Sequence, residues 1–478
     1  MKEVYYRSPE KSVCADVIPF FENGEFKLFY LRDYRDWENC GEGCPWCLLT
    51  TKDLVNYVDH GPVLLRGTKE EQDLYVFTGS IIKHNDEYVI FYTGHNPHLR
   101  RQGLPEQKIL KATSKDLLHW EKDKSFVFEA PSYLEMHDFR DPFVYFDEER
   151  KEYGMLIAAR LKNENHTTSK GVTIVAYSKD LVKRDLQKEP FYYPHAYFTH
   201  ECPDLFKMGD WYYLIFSEFT DKIATTYRMS KSINGPWISP MVNTFDGHAF
   251  YAAKSYLDDK GRRILFGWNP IKNFEKDYDF WQRGGNIIPH EIIQKENGEL
   301  VVRCPEEIKN AFTKDYEIKE THRLGKVEAK DNKFVIGEEG LSQIEFNELP
   351  QTCKLEVKFK INDYKGDFGV LLRYFNNGDN FYKIKIEPRF NRVAMDMWPR
   401  RDGNLPMEAD TERYLNLKVG EENTLLAIIK GSVLEVYIND EVAMSSRMFD
   451  TKEGKFGLYA LNTGVEFKDL KVKELLHE

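Results

Sequence analysis

One short plan recurs five times along the N-terminal two thirds of this chain: a polar or charged tip, an apolar run, a tight polar turn, and a second apolar run. The clearest copy is Arg140-Asp141-Pro142-Phe143-Val144-Tyr145-Phe146, followed by a turn at 147–151 and an apolar run at 153–159. Pro142 is tolerated at the first position of a strand, and the β-branched and aromatic residues after it suit a buried one. The other copies open at Asp16-Val17-Ile18-Pro19, Thr78-Gly79-Ser80-Ile81, Glu201-Cys202-Pro203-Asp204 and Tyr251-Ala252-Ala253-Lys254. Each has the turn chemistry of a hairpin between apolar runs.

A second echo follows the hairpins. Thr51-Lys52-Asp53-Leu54, Ser114-Lys115-Asp116-Leu117 and Ser178-Lys179-Asp180-Leu181 are nearly one tetrapeptide, with Ser230-Lys231-Ser232-Ile233 a worn copy. A repeat of roughly 50 to 65 residues signals a solenoid, propeller or array. Five units of about four strands predict an all-β fold, a five-bladed β-propeller over residues 1–308. The polar stretch 309–324 reads as a linker, and residues 325–478 as a β-sandwich domain. Period-two alternation in Leu355-Glu356-Val357-Lys358-Phe359 and Val433-Leu434-Glu435-Val436-Tyr437, with a turn at 376–379, marks that second domain.

Composition narrows function. The net charge of −11 comes without a basic cluster, which argues against nucleic acid or anionic lipid as partner. The N-terminal residues carry no apolar signal core and no long apolar run exists, so a membrane-spanning or exported chain is not expected. Seven cysteines in a long chain fit reduced thiols and a cytoplasmic location better than a disulfide framework.

In a propeller the inner strands begin near one end of the central axis, so the five tips converge. Asp16, Asp141 and Glu201 are then expected at equivalent positions around one pocket, where facing carboxylates cost energy unless used. Two carboxylates flanking a glycosidic bond are what glycoside hydrolysis requires. The tips also bring Trp46, Tyr251 and Trp281 as candidate faces for a sugar ring. From the residues alone, the partner is a small carbohydrate; nothing calls for a cofactor or a metal.

The chain resembles the family 32 glycoside hydrolases, the invertase, inulinase and levanase group, over residues 14 to 308. Phe139-Arg140-Asp141-Pro142 is similar to that family's Arg-Asp-Pro motif, Glu201-Cys202-Pro203-Asp204 to its Glu-Cys-Pro motif, and Phe77-Thr78-Gly79-Ser80 to its Phe-Ser-Gly-Ser. The resemblance implies a propeller with a C-terminal sandwich, a retaining mechanism, Asp16 as nucleophile, Glu201 as acid/base and Asp141 as transition-state stabiliser. It implies sugar contacts from Trp46, Phe77, Thr78, Ser80, Arg140, Tyr251 and Trp281. The departures cluster near the nucleophile. Val13-Cys14-Ala15-Asp16-Val17-Ile18-Pro19 replaces Trp-Met-Asn-Asp-Pro-Asn-Gly, and Trp46-Cys47-Leu48-Leu49 keeps only the Trp of Trp-Gly-His-Ala. Ala249 stands where an Asp is frequent. The expected activity is release of fructose from sucrose or short β-fructosides. An inverting arabinofuranosidase and a non-catalytic sugar-binding protein are the alternatives.

Other candidates have plain readings. Cys40, Cys44 and Cys47 lack the second pair a zinc knuckle wants. His137, His195, His200 and His248 lie near tips, as pocket-lining or ordinary hydrogen-bonded histidines.

Overall fold

The computed structural model describes residues 3–9, 11–162, 169–220, 223–375, 380–398 and 411–476. The turn expected at 376–379 lies outside them. The five repeats form five antiparallel blades whose inner strands are Ser12–Glu22, Tyr75–His84, Leu134–Asp147, Glu201–Met208 and Tyr251–Leu257. Blades 1, 2, 3 and 5 have four strands. Blade 4 has three, extended by isolated bridges from Met229 to Ile238 and from Thr226 to Thr244.

Aliphatic and aromatic residues alternate to both faces of each blade, because each blade is sandwiched between neighbours. Phe91, Phe139, Ile157 and Ile174 fill the space between blades 2 and 3, and Leu156, Leu205 and Phe216 that between blades 3 and 4. Each such buried side chain contributes about 1.5–3 kcal/mol. The ring closes where Trp281–Gln294 of blade 5 meets Ser12–Glu22 of blade 1, with Cys14 opposite Gly285. Two glycines permit this approach. A Cβ on Gly284 would lie 2.7 Å from Val13 Cγ2, and one on Gly285 1.8 Å from the Asn269 carbonyl oxygen.

The repeated tetrapeptide is a turn. Thr51, Ser114 and Ser178 end the third strands of their blades, and Thr51 Oγ1 and Ser114 Oγ accept the backbone N–H groups of Leu54 and Leu117, each at 2.9 Å. Asp53, Asp116 and Asp180 accept the next two N–H groups. Leu54, Leu117 and Leu181 take positive φ of 58°, 66° and 58° and are buried, so apolar burial offsets the backbone strain.

The C-terminal part is a sandwich of two antiparallel sheets. One contains Thr352–Ile361, Glu422–Lys430, Val433–Ile438, Val442–Arg447 and Val465–Leu475; the other contains Leu341–Glu348, Asp367–Phe375, Asn380–Glu387 and Lys455–Leu461. Most of 309–324, expected as a linker, belongs to regular elements, with 316–319 irregular between them. The helix Glu306–Ala311 leads into Phe312–Asp315, which pairs with Val465–Leu475, and Glu320–Leu324 pairs with Leu341–Glu348. Their polarity reflects an edge: every residue of Glu320–Leu324 is exposed, and charged side chains on an edge strand deter further pairing. One apolar cluster crosses between the two parts, joining Tyr5, Ile288 and Ile292 to Leu426, Ile428 and Tyr437. Among the described residues, no helix is long and apolar enough to cross a membrane.

Candidate active site

Every inner strand is irregular at its tip. The pairing register with the second strand slips between Ala15 and Val17, Phe77 and Gly79, Glu201 and Asp204, and Tyr251 and Lys254, and opposite Arg140–Phe143 in blade 3. Four residues at these bulges are left-handed without being glycine: Asp16 (φ 22°), Asp141 (56°), Cys202 (51°) and Ala252 (52°). Such a conformation costs about 1–3 kcal/mol per residue and persists where the surroundings over-determine it. A bulge here re-aims tip side chains.

The bulges also change the expected equivalence of the carboxylates. Asp16, Thr78, Asp141, Cys202 and Ala252 occupy one position of the five tips. Ala15, Phe77, Arg140, Glu201 and Tyr251 occupy the one before. Asp16 and Asp141 are therefore equivalent, but Glu201 matches Arg140 and Tyr251. Sequence alignment of the tips by their carboxylates missed this one-residue offset.

Each of the two positions carries its own set of hydrogen bonds between blades. In the first, Thr78 Oγ1 donates to Asp16 Oδ2 at 2.6 Å, and the Cys202 N–H donates to Asp141 Oδ2 at 2.9 Å. In the second, Arg140 Nη2 of blade 3 donates to Glu201 Oε1 of blade 4 at 3.1 Å, and Tyr251 OH of blade 5 donates to Glu201 Oε2 at 2.6 Å. Two more donors reach Asp16 from the second and third strands of blade 5: Trp268 Nε1 to Oδ1 at 3.0 Å and Arg283 Nη2 to Oδ2 at 3.1 Å. Arg140 is itself fixed by Asp138 at 2.9 Å, by Thr199 at 3.3 Å and by Gln107 at 3.4 Å.

These partners separate the carboxyls electrically. Burial opposes ionisation of Asp16, but the Arg283 charge and the hydrogen bonds from Thr78, Trp268 and Arg283 outweigh it and hold the carboxyl below its usual range. Burial dominates at Asp141, and with the Glu201 and Asp16 charges it prevails over Arg140 and the Cys202 N–H, raising the pKa to about 6. Of the two, Asp16 is the carboxyl kept ionised, the form a nucleophile needs.

Asp16, Asp141 and Glu201 line one open cavity of about 650 Å³, together with Phe77, Arg140, Tyr251 and Trp281 among the residues expected at a sugar site. Phe77 is stacked on His95 at 4.5 Å, with Arg283 over its ring. Trp281 lies edge-on to His248. Three expected sugar contacts are not in the lining. Trp46 is fully buried, packs among Phe29 and Tyr92, and donates to the Phe77 carbonyl at 3.1 Å. Thr78, also fully buried, spends its hydroxyl on Asp16. Ser80 is buried and accepts the Val144 N–H at 2.9 Å, tying blade 2 to blade 3. These three support the lining from behind: Trp46 through the Phe77 carbonyl, Thr78 through Asp16, and Ser80 by joining blades 2 and 3.

Of the histidines, His137 and His248 line the cavity, His200 is buried against Thr173, and His195 is exposed. Arg283, Trp268 and Asp138 were not anticipated. Arg283 and Asp138 had sequence signals: in Trp281-Gln282-Arg283-Gly284-Gly285 a cation precedes the glycines of the ring closure, and Asp138 and Arg140 flank Phe139 as an acid–base pair two positions apart. Among the described residues, the group of potential metal ligands that comes together is Asp246, His290 and Glu435, away from this cavity and at the boundary between the two parts of the fold.

The comparisons with known proteins agree with this architecture. Residues 319–473 match the 3-keto-alpha-glucoside-1,2-lyase-like domain. The chain is 26% identical over 440 residues to a sucrose-6-phosphate hydrolase of Escherichia coli, covering 87% of this chain and 83% of that protein. It is 23% identical over 386 residues to an insoluble β-fructofuranosidase isoenzyme of Arabidopsis thaliana, covering 72% of this chain and 61% of that one. The structure of fructan 1-exohydrolase IIa from Cichorium intybus superimposes with a TM-score of 0.74 at 16% identity, over 99% of this chain and 97% of that one, a shared propeller-and-sandwich fold. Residues 8–305, well over half of the chain, match the N-terminal domain of glycosyl hydrolases family 32, and the chain belongs to that family.

Proposed function

We propose that this protein is a retaining β-fructosidase acting on sucrose or short β-fructosides, with Asp16 as nucleophile, Glu201 as acid/base and Asp141 as the residue that holds the fructosyl hydroxyls. Asp16 forms a bond to the anomeric carbon as the glycosidic C–O bond breaks, and Glu201 gives its proton to the leaving oxygen. Water then attacks the same carbon, Glu201 takes the water's proton, and Asp16 departs. The observation that carries this reading is the different grip on the two carboxyls. Three donors keep Asp16 ionised for attack, whereas Glu201 has one oxygen on Arg140 and the other on the neutral hydroxyl of Tyr251.

The leaving group is an uncharged sugar. Each guanidinium of the lining faces a carboxylate: Arg100 with Glu106 at 3.3 Å, Arg160 with Asp138 at 3.2 Å, Arg140 with Asp138 and Glu201, and Arg283 with Asp16. The lining beside Arg160 is apolar, with Phe198 under its guanidinium and the exposed side chains of Phe219 and Ile223 nearby. That surface suits the face of a hexose better than a phosphate. Six of the seven cysteines are buried and none is joined in a disulfide, which supports a reducing compartment for the protein.

A hydrolysis screen of sucrose, kestose, sucrose 6-phosphate and aryl arabinofuranosides, with the product anomer followed by NMR, tests the reading. Fructose released first as the β-anomer, from sucrose faster than from its 6-phosphate, is expected. An inverted product or cleavage of arabinofuranosides alone would assign the scaffold to another furanosidase.

A further inference from the structure

Among the described residues, none of the C-terminal sandwich lines the cavity around Asp16 and Glu201, yet the sandwich hydrogen-bonds directly to the backbone that carries their donors. Arg447, at the end of Val442–Arg447, is 1% exposed. Its guanidinium donates to the carbonyl of Asn269 at 2.7 Å, to that of Pro270 at 3.0 Å and to Asn286 Oδ1 at 2.8 Å. Asn269 follows Trp268, and Asn286 lies three residues beyond Arg283 on the paired strand. Both donors from blade 5 to Asp16 therefore sit on strands clamped by one guanidinium.

Arg413, on Thr411–Tyr414, does the same on the Glu201 side. It donates to the Thr244 carbonyl at 2.8 Å, and also to Thr244 Oγ1 and the Asp246 carbonyl. Asp246 is held further by the Ser445 N–H and hydroxyl, each at 2.8 Å, and by His290, whose other nitrogen meets Tyr437 OH. Five residues on, Tyr251 donates to Glu201. Between them, Ala249 is fully buried and its carbonyl accepts from Asn269, so the two clamps are connected.

We propose that Arg413 and Arg447 of the sandwich are positioning residues for the reaction: Arg447 fixes Trp268 and Arg283 on Asp16, and Arg413 fixes Tyr251 on Glu201. The guanidinium fork, with several donors in one plane, is suited to holding two adjacent carbonyls at once, which a lysine does not reproduce. The sandwich is in this sense part of the catalytic apparatus, and domain adhesion alone would not need contacts to these particular carbonyls. The proposal rests on the roles assigned above to Asp16 and Glu201.

The test compares R447M, R447K, R413M and R413K with the wild-type full-length protein on sucrose and on an aryl β-fructoside with a good leaving group, after thermal melts establish folding. For R447M the expected result is a similar loss on both substrates and an acid limb of the kcat/KM profile moved up by about half a pH unit, because weaker donors let Asp16 hold its proton longer. The charged or titratable groups facing Asp16 are Arg283, Lys254, Asp141, Cys202, Tyr251 and Cys44, and the R447M change removes none of them. For R413M the loss on sucrose should exceed that on the aryl fructoside by about tenfold, since protonation matters less for a good leaving group. The lysine variants should recover part of each effect and supply the same readouts if a methionine variant does not fold. Folded variants with wild-type pH limbs and equal losses on both substrates would overturn the proposal and leave the arginines as domain adhesion. Full activity in Asp16→Ala or Glu201→Gln, run in parallel, would instead overturn the assignment of the two carboxylates.

Discussion

Tyr251 donates to Oε2 of Glu201 at 2.6 Å while Arg140 occupies Oε1 at 3.1 Å, so neighbouring blades on either side hold both oxygens of one half-buried carboxyl. The geometry fixes which way the carboxyl faces before any sugar arrives. Removing the phenolic hydroxyl in Tyr251→Phe deletes one of the two side-chain hydrogen bonds that orient this carboxyl, worth about 0.5–1.5 kcal/mol, and should lower kcat on sucrose about threefold to tenfold with little change in the melting temperature. Steady-state kinetics on sucrose and an aryl fructoside checks this.

Asp16→Ala and Glu201→Gln should each reduce kcat on sucrose by about three orders of magnitude or more with the fold intact, as expected for loss of a nucleophile or a general acid. Glu201→Gln should retain much more activity on an aryl fructoside than Asp16→Ala does. Parallel progress curves on the two substrates distinguish the roles.

Trp268 and Arg283 keep Asp16 ionised. In Trp268→Phe one of these hydrogen bonds is lost, the Asp16 pKa rises, and the acid limb of kcat/KM should move up by about one pH unit. Activity near neutral pH should fall less than activity on the acid side. A pH profile of the purified variant measures it.

Asp141 loses stability for the fold when it ionises. Its pKa is raised from 3.8 to about 6, chiefly by burial. The cost is absent below about pH 4, where the carboxyl is protonated folded and unfolded, and complete above about pH 6. Roughly two pH units correspond to about 3 kcal/mol. Asp141→Asn, which keeps an acceptor for the Cys202 N–H, should therefore be more stable than wild type at pH 8 and no more stable at pH 4, despite being impaired in catalysis. Denaturant unfolding at the two pH values gives the answer.

Trp46 behaves as core. Trp46→Ala should destabilise the protein by about 3–5 kcal/mol through a cavity beside Phe29 and Tyr92. A ring that stacked on sugar would show the reverse, a raised KM with an unchanged melt.

Much of this was legible in the residues because the propeller repeats itself. The tips at Asp16, Arg140-Asp141 and Glu201, the Thr/Ser-Lys-Asp-Leu turn and the alternating strands after residue 325 are local patterns, each fixed by hydrogen bonding and side-chain period within a few positions. The polar edge strand Glu320–Leu324 misled because charge on an exposed edge and charge in a linker look alike in one dimension. Trp46, Thr78 and Ser80 misled because motif adjacency does not say which way a bulged strand turns its side chains.

The sequence by itself determined the all-β class, the repeat number and the three carboxylates, since these follow from periodicity and residue type. Tertiary structure alone decided the one-residue offset that puts Glu201 with Arg140 and Tyr251, and the arrival of Trp268 and Arg283 at Asp16 from more than 250 positions away. It also decided that Arg413 and Arg447 reach across from the sandwich. The reason is physical. A ring closes only when its last strand meets its first, and no local pattern records which side chains that closure brings together.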